Sequence, residues 1–540
     1  MHTVGENIMS FLSILYFKFL IIVLCAYFLM YKIFPKFQYL VLLIASYIFY
    51  YLVSPKAVLF LMFSTFTTWI CSLLIEHISE NKTKNLSKIE NNEEKNKTEN
   101  KFNRLKKLTL GTCIFLNIGV LAYIKYFVVI EKALSNLHLH FQLLNINAII
   151  VTIGISFYTF QSLAYLIDVS RETIKAEKNL FKYALFTSFF PQILQGPIHR
   201  YSELAEQLYK PKSFCFDDFV MGFERMALGF FKKIFVATQI DFWVNAMYCY
   251  KTNVSGAILL LATILFGIQF YADFSGYVDI ALGTGKMFRL NLRENFNTPY
   301  FACSVRDFWR RWHMSLSVWF KDYLFYPILY TCTSSKLYGK LEKSFNRNLV
   351  KRVTVSFALF ITWFLIGLWH DCSANFIIYG LYFGFFMILS VLFAKQFSTL
   401  KKIFKINDKS IFWKSFQISR TFLITIFGYV LFKSFNLTDA IYIYKKIFTQ
   451  FNEGGTFNGL LNSQITWIEN NVIWSWKMII LGILIMLILE IANYKGNALT
   501  WLHKQNKFVR WSIVYSLILL TLLSMINDIN TSKLFIYSRF

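Results

Sequence analysis

Two histidines lie beside apolar segments, where a side chain that exchanges protons is uncommon. His370 ends the stretch FLIGLWH and is followed, after a few small or polar residues, by another apolar run. An imidazole near or within a membrane loses hydration, and desolvation disfavours the charged imidazolium. A neutral ring can accept a proton from a hydroxyl, so His370 is a candidate general base. A histidine that only satisfies structural hydrogen bonds is the alternative.

The second histidine, His313, lies in the amphipathic segment DFWRRWHMSLSVWFKDYLFYP. At about 100° per residue along a helix over 304–326, a polar stripe runs beside an aromatic face. The polar stripe consists of Arg306, Arg310, His313, Ser317 and Lys321, and the other face of Trp309, Trp312, Leu316, Trp319, Phe320 and Tyr323. This pattern predicts one amphipathic helix at the membrane interface. An interfacial anchor explains its tryptophans and arginines, but it does not call for a histidine.

A third polar group lies in the segment YADFSGYVDIALGTG, where Asp273, Ser275 and Asp279 occur in or beside an apolar run. Carboxylates at membrane depth are costly and need partners. These residues are therefore predicted either to line a polar cavity or to cap and fasten neighbouring helices.

No metal site is predicted. The eight cysteines form no C-x-x-C pair and no metal-ligand spacing. Asp371 follows His370 directly, but no third ligand is visible nearby. If that segment is helical, Asp371 points about 100° away from His370, so it is not expected to orient the imidazole.

The elements that must position these residues are membrane helices. Apolar residues make up 56% of the 540-residue chain, more than a soluble chain of this size carries. Runs long enough to cross roughly 30 Å of hydrocarbon recur throughout, which predicts an all-α polytopic membrane protein with about 11–14 spans. The predicted spans are 11–31, 37–53, 57–75, 108–130, 147–167, 180–196, 226–249, 256–272, 353–370, 374–394, 411–433, 473–493 and 510–527.

The charge pattern sets the predicted orientation. The formal net charge of +26 is spread between the spans, which argues against nucleic-acid binding and favours attraction to anionic membrane lipid. With the N-terminus outside, Lys32 and Lys36 fall on the cytosolic side. Segment 76–107 then falls there too, and its Asn, Lys and Glu content predicts a mobile charged cytosolic loop.

Several motifs resemble the membrane-bound O-acyltransferase superfamily, and within it the bacterial branch that contains the alginate O-acetylation protein and the D-alanyl transfer protein of teichoic acid. The resemblance covers nearly the full length. The motifs are ISFYTFQSLAYLIDVSR at 155–171, FFPQILQGPIHRY at 189–201, YADFSGYVDIALG at 271–283, ENFNTPY at 294–300, DFWRRWHMSLSVWFKDYLFYP at 307–327, GLWH at 367–370 and GYVLFKSFNLTDA at 428–440.

The resemblance implies one membrane domain over 1–540, a helical bundle with re-entrant or interfacial helices around a central funnel. Its catalytic core is 271–394, and 395–540 is a C-terminal helical extension. By resemblance, His370 and His313 match the family's catalytic histidines. Asp371 and Ala374 depart from the glycine and tryptophan that the family usually has there. The residues predicted to line the substrate tunnel or bind the donor are Asp273, Ser275, Asp279, Asn297, Arg306, Arg310, Trp312, Ser317, Lys321, Trp369 and Asn375.

The activity this implies is transfer of an acyl group, acetyl first, to an extracytoplasmic polymer. No bound cofactor is expected. An acyl thioester, acetyl-CoA or acyl carrier protein, is the co-substrate, and basic residues of the 304–326 helix attract it. His370 deprotonates the acceptor hydroxyl, and His313 or Asn375 stabilises the oxyanion.

The resemblance also implies a multi-pass protein of the inner membrane and an extracytoplasmic transferase as partner. Two other functions stay open. The first is D-alanyl transfer to teichoic acid. The second, from a different class, is a transporter or flippase of an acyl or lipid-linked precursor, which does not need the paired histidine motifs.

Overall fold

The structure, a computed structural model, describes residues 9, 11–136, 154–453 and 476–527. The described elements are helices, with no β-strand among them. The α-helices are α1 Ile14–Ile33, α2 Gln38–Val53, α3 Ala57–Leu86, α4 Asn92–Asn136, α5 Ile155–Ser170, α6 Leu180–Ser188, α7 Phe190–Ile193, α8 Tyr201–Tyr209, α9 Phe216–Phe230, α10 Gln239–Cys249, α11 Gly256–Met287, α12 Val305–Arg311, α13 Met314–Phe320, α14 Tyr326–Thr333, α15 Lys336–Ser344, α16 Arg347–His370, α17 Ala374–Leu392, α18 Ala394–Ile403, α19 Ile411–Lys433, α20 Leu437–Thr449, α21 Trp476–Lys495, α22 Ala498–His503 and α23 Lys507–Asn527.

Two π-helical segments continue the α-helices without a break. Phe231–Thr238 joins α9 to α10, and Lys321–Phe325 joins α13 to α14. Short 3-10 turns at Pro35–Phe37 and Pro299–Phe301 precede α2 and α12.

Ten helices in the described part of the chain are long and apolar enough to cross a membrane, against the predicted 11–14. They are α1, α2, α3, α4, α11, α16, α17, α19, α21 and α23. The prediction of an all-α polytopic membrane protein is therefore confirmed, while the central funnel stays a prediction. Residues 454–475 and 528–540 of the predicted C-terminal extension lie outside the described residues.

The three other predicted spans correspond to helices in the protein interior. In 180–196, α6 ends at Ser188 and α7 starts anew around Pro191, because proline begins a helix more readily than it continues one. In 226–249, the π-helical segment carries two buried lysines, which require polar partners. Of 147–167, residues 147–153 lie outside the described residues, and the rest belongs to the almost fully buried α5.

The prediction of a loop over 76–107 needs correction, because most of this segment is helical. The helix α3 continues to Leu86, and α4 begins at Asn92. The Lys82 ammonium donates to Glu99, 2.8 Å away, and to the Asn103 side chain at 3.0 Å. Lysine and glutamate are good helix formers, so low hydrophobicity did not prevent helix formation here.

The described residues form two compact units. One takes its residues from 1–223 and 281–293, the other from 224–280 and 294–540. The assignment of 1–540 to one membrane domain stays a prediction.

In the first unit, hydroxyl groups link the buried faces of α3, α5 and α6. Thr68 and Tyr183 lie 2.8 Å apart, and Ser72 and Tyr165 lie 3.1 Å apart. Such hydrogen bonds hold helices together where the hydrophobic effect between them is weak.

Within the same unit, His199 of the FFPQILQGPIHRY motif takes a structural position. Its Nε2 accepts a hydrogen bond from the backbone N–H of Arg293 at 2.8 Å. The proton therefore sits on Nδ1, which donates to Gln192 Oε1 at 2.9 Å and Pro197 O at 3.0 Å. Burial lowers the pKa of His199 to about 4, so this ring is neutral.

In the second unit, α16 and α17 pack as a close hairpin. A Cβ at Gly367 would lie 2.6 Å from the backbone oxygen of Phe376, and a Cβ at Gly380 would overlap the backbone oxygen of Trp363. Only glycine permits this approach, and it fixes the end of α16 where His370 lies.

Candidate active site

A cavity of about 680 Å³ in the second unit brings both histidines together. Its walls come from α11, the segment from α12 to α14, α16, α17 and α19. The lining includes these residues that the sequence predicted: Arg306, Arg310, Trp312, His313, Ser317, Lys321 and His370. The volume falls in the range of small-molecule pockets.

His370 ends α16 at the wall of this cavity. The backbone turns to an extended conformation at Asp371, and the histidine side chain is 5% exposed. Its ring lies among aromatic rings, with centroids 4.6 Å from Trp369, 5.5 Å from Phe432 and 5.8 Å from Tyr379. These rings exclude water from the imidazole on several sides.

Asp371 hydrogen-bonds to the turn that follows the histidine. One carboxylate oxygen accepts from the Cys372 backbone N–H and the other from the Ser373 hydroxyl, each at 2.8 Å. The helix has ended at this point, so the expected 100° helical offset does not apply. The carboxylate stabilises the turn between α16 and α17.

His313 lies at a break in the predicted helix, which corrects the expectation of one continuous helix over 304–326. The helix α12 ends at Arg311, and α13 starts at Met314. His313 between them has φ 44° and ψ 54°, a left-handed conformation that costs energy for a residue with a Cβ. Hydrogen bonds from a neighbouring segment hold the break: the Met314 N–H donates to Asn295 O, and the Asn297 N–H to Arg311 O, both at 2.9 Å.

The His313 ring is buried and neutral. It is 2% exposed and lies edge-on to Phe274, with the ring centroids 4.8 Å apart. Burial lowers the pKa of His313 to about 3. Protonation at neutral pH is thereby excluded, and the ring offers one donor and one acceptor nitrogen.

Three cationic side chains also line the cavity. Arg306 and Arg310 are exposed on α12, and the Lys321 side chain is 52% exposed. The cations therefore lie at the exposed part of the cavity. This arrangement suits an anionic ligand that enters beside α12 and α13.

Asp273, Ser275 and Asp279 are buried but are not among the cavity-lining residues. Asp279 accepts from Lys232 at 2.9 Å and from Arg225 at 3.0 Å, while Asp273 pairs with Lys233. The two lysines belong to the π-helical segment, so these carboxylates tie α11 to it. Of the two predicted alternatives, the geometry matches fastening of neighbouring helices. Their role in a substrate tunnel stays a prediction.

Three other predicted residues lie outside the cavity lining. Asn297 is exposed, and Trp369 packs against His370. The buried Asn375 side chain donates to Leu431 O at 3.3 Å and Ser434 O at 3.2 Å, which joins α17 to the end of α19. Their functional roles also stay predictions.

The prediction missed several side chains that shape the site. Trp363, Tyr379 and Phe432 form much of the aromatic wall, together with Trp309, which the sequence placed on the aromatic face of 304–326 but not among the site residues. Asn295 contacts His313, although Asn297 was selected from the same ENFNTPY motif. Asn295 is buried and Asn297 is exposed. The two asparagines lie in a loop, where no regular periodicity tells from sequence which residue is buried.

The fold and the site thus define a polytopic membrane protein with two buried histidines in one cavity. The family model of MBOAT, membrane-bound O-acyltransferase, matches residues 64–436, and the chain belongs to this family.

Known relatives include enzymes with different acceptors. A probable alginate O-acetylase of Pseudomonas syringae pv. tomato is 33% identical over 346 residues, 63% of this chain and 60% of that protein. The peptidoglycan O-acetyltransferase of Helicobacter pylori is 29% identical over 444 residues, 74% of this chain and 78% of that protein. The teichoic acid D-alanyltransferase of Bacillus subtilis is 29% identical over 284 residues, 52% of this chain and 68% of that protein. The chain thus spans about 60% of the length of the alginate relative.

Proposed function

We propose that this chain is an acyltransferase of the inner membrane that carries an acetyl group from a cytosolic thioester towards hydroxyls of an extracytoplasmic polysaccharide or cell-wall polymer. The observation that carries the proposal is the shared cavity, in which His313 and His370 lie with three cationic side chains. Membership of the family supports the reaction type.

The donor in this proposal is an acetyl thioester of an anionic carrier, coenzyme A or acyl carrier protein. Arg306, Arg310 and Lys321 supply the positive charge at the exposed part of the cavity. Aromatic and aliphatic side chains line the rest, which suits the uncharged acyl-bearing arm of a thioester. The charged carrier then stays on the cytosolic side while the acyl group reaches His370.

The chemical step we propose is acyl transfer with His370 as general base. His370 takes the proton of the acceptor hydroxyl while the hydroxyl oxygen attacks the thioester carbonyl carbon. The tetrahedral intermediate collapses, the carbon–sulfur bond breaks, and the thiolate leaves with the proton from His370. Atoms and charge balance without a metal or redox cofactor.

Acetyl is the preferred acyl group because two acetyltransferase relatives match more of the chain than the D-alanyltransferase does, 63% and 74% against 52%. D-alanyl transfer is the second candidate, supported by the B. subtilis relative. A partner outside the membrane, as the family resemblance implies, completes delivery to the polymer.

The test is chemical analysis of cell-envelope polymers from a strain that lacks the chain, complemented with the wild type, His370→Ala or His77→Ala. His77 is an exposed histidine of α3 and is the matched control. We expect ester-linked acetate to fall about 100-fold or more with His370→Ala and to persist with His77→Ala, at equal membrane levels. Loss of ester-linked D-alanine instead selects the second candidate. If His370→Ala changes neither ester, the catalytic proposal is wrong, and transport becomes the better account.

A further inference from the structure

Asn295 is a fully buried residue in the loop before α12, and hydrogen bonds converge on its side chain. Its Oδ1 accepts from the Ser315 N–H at 3.0 Å and from the Ser315 hydroxyl at 2.9 Å. The same oxygen lies 3.3 Å from His313 Nδ1. Its backbone oxygen accepts from Met314, so Asn295 contacts three consecutive residues at the helix break.

The backbone fixes which way the Asn295 carboxamide faces. The Ser315 N–H can only donate, so the atom that meets it must be the amide oxygen and not the NH2 group. The oxygen therefore also faces His313, and an oxygen can only accept. The hydrogen bond to the imidazole then requires a proton on Nδ1. In a neutral ring, Nε2 is left with the lone pair.

An ion pair holds the loop that carries Asn295. The Arg225 guanidinium donates to both carboxylate oxygens of Glu294, each at 2.6 Å, and also to Asp279 at 3.0 Å. A two-point guanidinium–carboxylate contact fixes orientation as well as position. Glu294 directly precedes Asn295, so this contact restrains the backbone that carries the Asn295 carboxamide, the hydrogen-bond partner of His313.

We infer that Asn295 is a positioning residue that holds His313 in the Nδ1-protonated tautomer, so that His313 acts in the cavity through Nε2 as an acceptor. A neutral Nε2 cannot donate a hydrogen bond to an oxyanion. His313 therefore accepts a hydrogen bond from a hydroxyl or amide of the substrate, and oxyanion stabilisation falls to another donor. This role in substrate orientation rests on the proposed function, whereas the tautomer does not.

The direct test is nitrogen NMR of the purified full chain, with its eight histidines labelled with ¹⁵N. The signals of His313 are those that vanish in His313→Gln. We expect the wild-type spectrum to show a protonated Nδ1 and an unprotonated Nε2, and Asn295→Leu to populate the other tautomer. A proton on Nε2 in the wild type contradicts the inference, whether or not any variant folds. So does an unchanged tautomer in folded Asn295→Leu.

The kinetic test uses Asn295→Asp, which keeps the acceptor oxygen and adds a negative charge beside the ring. A carboxylate favours the imidazolium, so His313 would become protonated at higher pH than in the wild type. We expect acyl transfer by Asn295→Asp to fall about tenfold per pH unit below the new pKa of His313, in addition to the fall that protonation of His370 causes in both proteins. Asn348→Asp places the same charge at an exposed position of α16 and is the matched control.

The two tests separate failure of the inference from failure of the proposed function. A pH profile of Asn295→Asp parallel to the wild type contradicts the inference. If His370→Ala retains acyl transfer, the proposed function fails, but the NMR result still decides the His313 tautomer.

Discussion

At the scale of single residues, burial of His313 makes stability depend on pH. The pKa of the folded ring is about 3, and that of a histidine in an unfolded chain is about 6.5. Between these values the unfolded state binds the proton and the folded state does not. The neutral His313 ring therefore makes its full contribution to the free energy of unfolding above pH 6.5, and this contribution is lost as the pH falls towards 3.

We predict that the free energy of unfolding of the wild type falls by about 2 kcal/mol relative to His313→Gln when the pH is lowered from 7.5 to 5. Denaturant unfolding of the purified protein in detergent at several pH values measures this difference. His77→Gln, at an exposed position, is the control. A difference between wild type and His313→Gln that does not change with pH would contradict a buried neutral ring.

The Lys233–Asp273 pair separates a structural role of Asp273 from a functional one. The two side chains are 6% and 3% exposed, and breaking a buried pair leaves an uncompensated charge. We predict that Lys233→Met lowers the free energy of unfolding by about 3–5 kcal/mol and that Lys233→Met/Asp273→Leu recovers much of this loss.

Acyl transfer by the double variant then shows what Asp273 does. We expect activity to return together with stability, because Asp273 fastens α11 and does not line the cavity. A double variant that is stable but inactive would place Asp273 on a substrate route, the other alternative that the sequence left open.

At the scale of helices, the close crossing of α16 and α17 positions His370. A methyl group at Gly380 would push against the backbone of α16 at Trp363 and Gly367, which cannot move aside as a side chain can. We predict that Gly380→Ala destabilises the protein by about 1–3 kcal/mol and lowers acyl transfer. Thermal unfolding and transfer assays measure both effects.

Gly339 supplies the control for this crossing. It lies on exposed α15, with no atom within 4 Å of the added methyl group. Because glycine disfavours helix formation, we expect Gly339→Ala to raise stability by up to about 1 kcal/mol. Equal effects of the two substitutions would show that the crossing at Gly380 is not tight.

Helical periodicity grouped the residues of 304–326 into a polar stripe and an aromatic face, but it did not predict where the helix breaks. The polar stripe from Arg306 to Lys321 does line the cavity, and so do Trp309, Trp312, Leu316 and Phe320 of the aromatic face. The break at His313 depends on hydrogen bonds from Asn295, 18 residues earlier in the chain. Helix propensity depends on neighbouring residues in the sequence, so it cannot predict a break that a tertiary contact causes.

The apolar and amphipathic surroundings and the family resemblance singled out His370 and His313, and both line the cavity. For Asp273 and Asp279, the sequence left two roles open: lining a polar cavity or fastening neighbouring helices. Their partners Lys232 and Lys233 lie 40 or more residues away in sequence, in a span predicted as apolar. Pairing at that distance requires the fold.

At the scale of the whole molecule, lysines and arginines predict which loops face the cytosol. Positive residues cluster on α15 and at the start of α16, while the turn before α11 carries few. We predict that, in a variant without the eight native cysteines, a membrane-impermeant thiol reagent labels Asn253→Cys in intact cells. Lys340→Cys should react only after the membrane is permeabilised. The reverse pattern would invert the orientation and place the cationic side of the cavity outside.

The measurement that tests the central claim most directly is transfer of label from radioactive acetyl-CoA, supplied to the cytosolic face of inverted membrane vesicles that contain the polymer and partner proteins. The cavity with His370 and His313 predicts ester-linked label on the polymer inside the vesicles with wild type and with His77→Ala. It also predicts loss of that label with His370→Ala. Equal incorporation by His370→Ala, at equal protein levels, would contradict acyl transfer at this cavity.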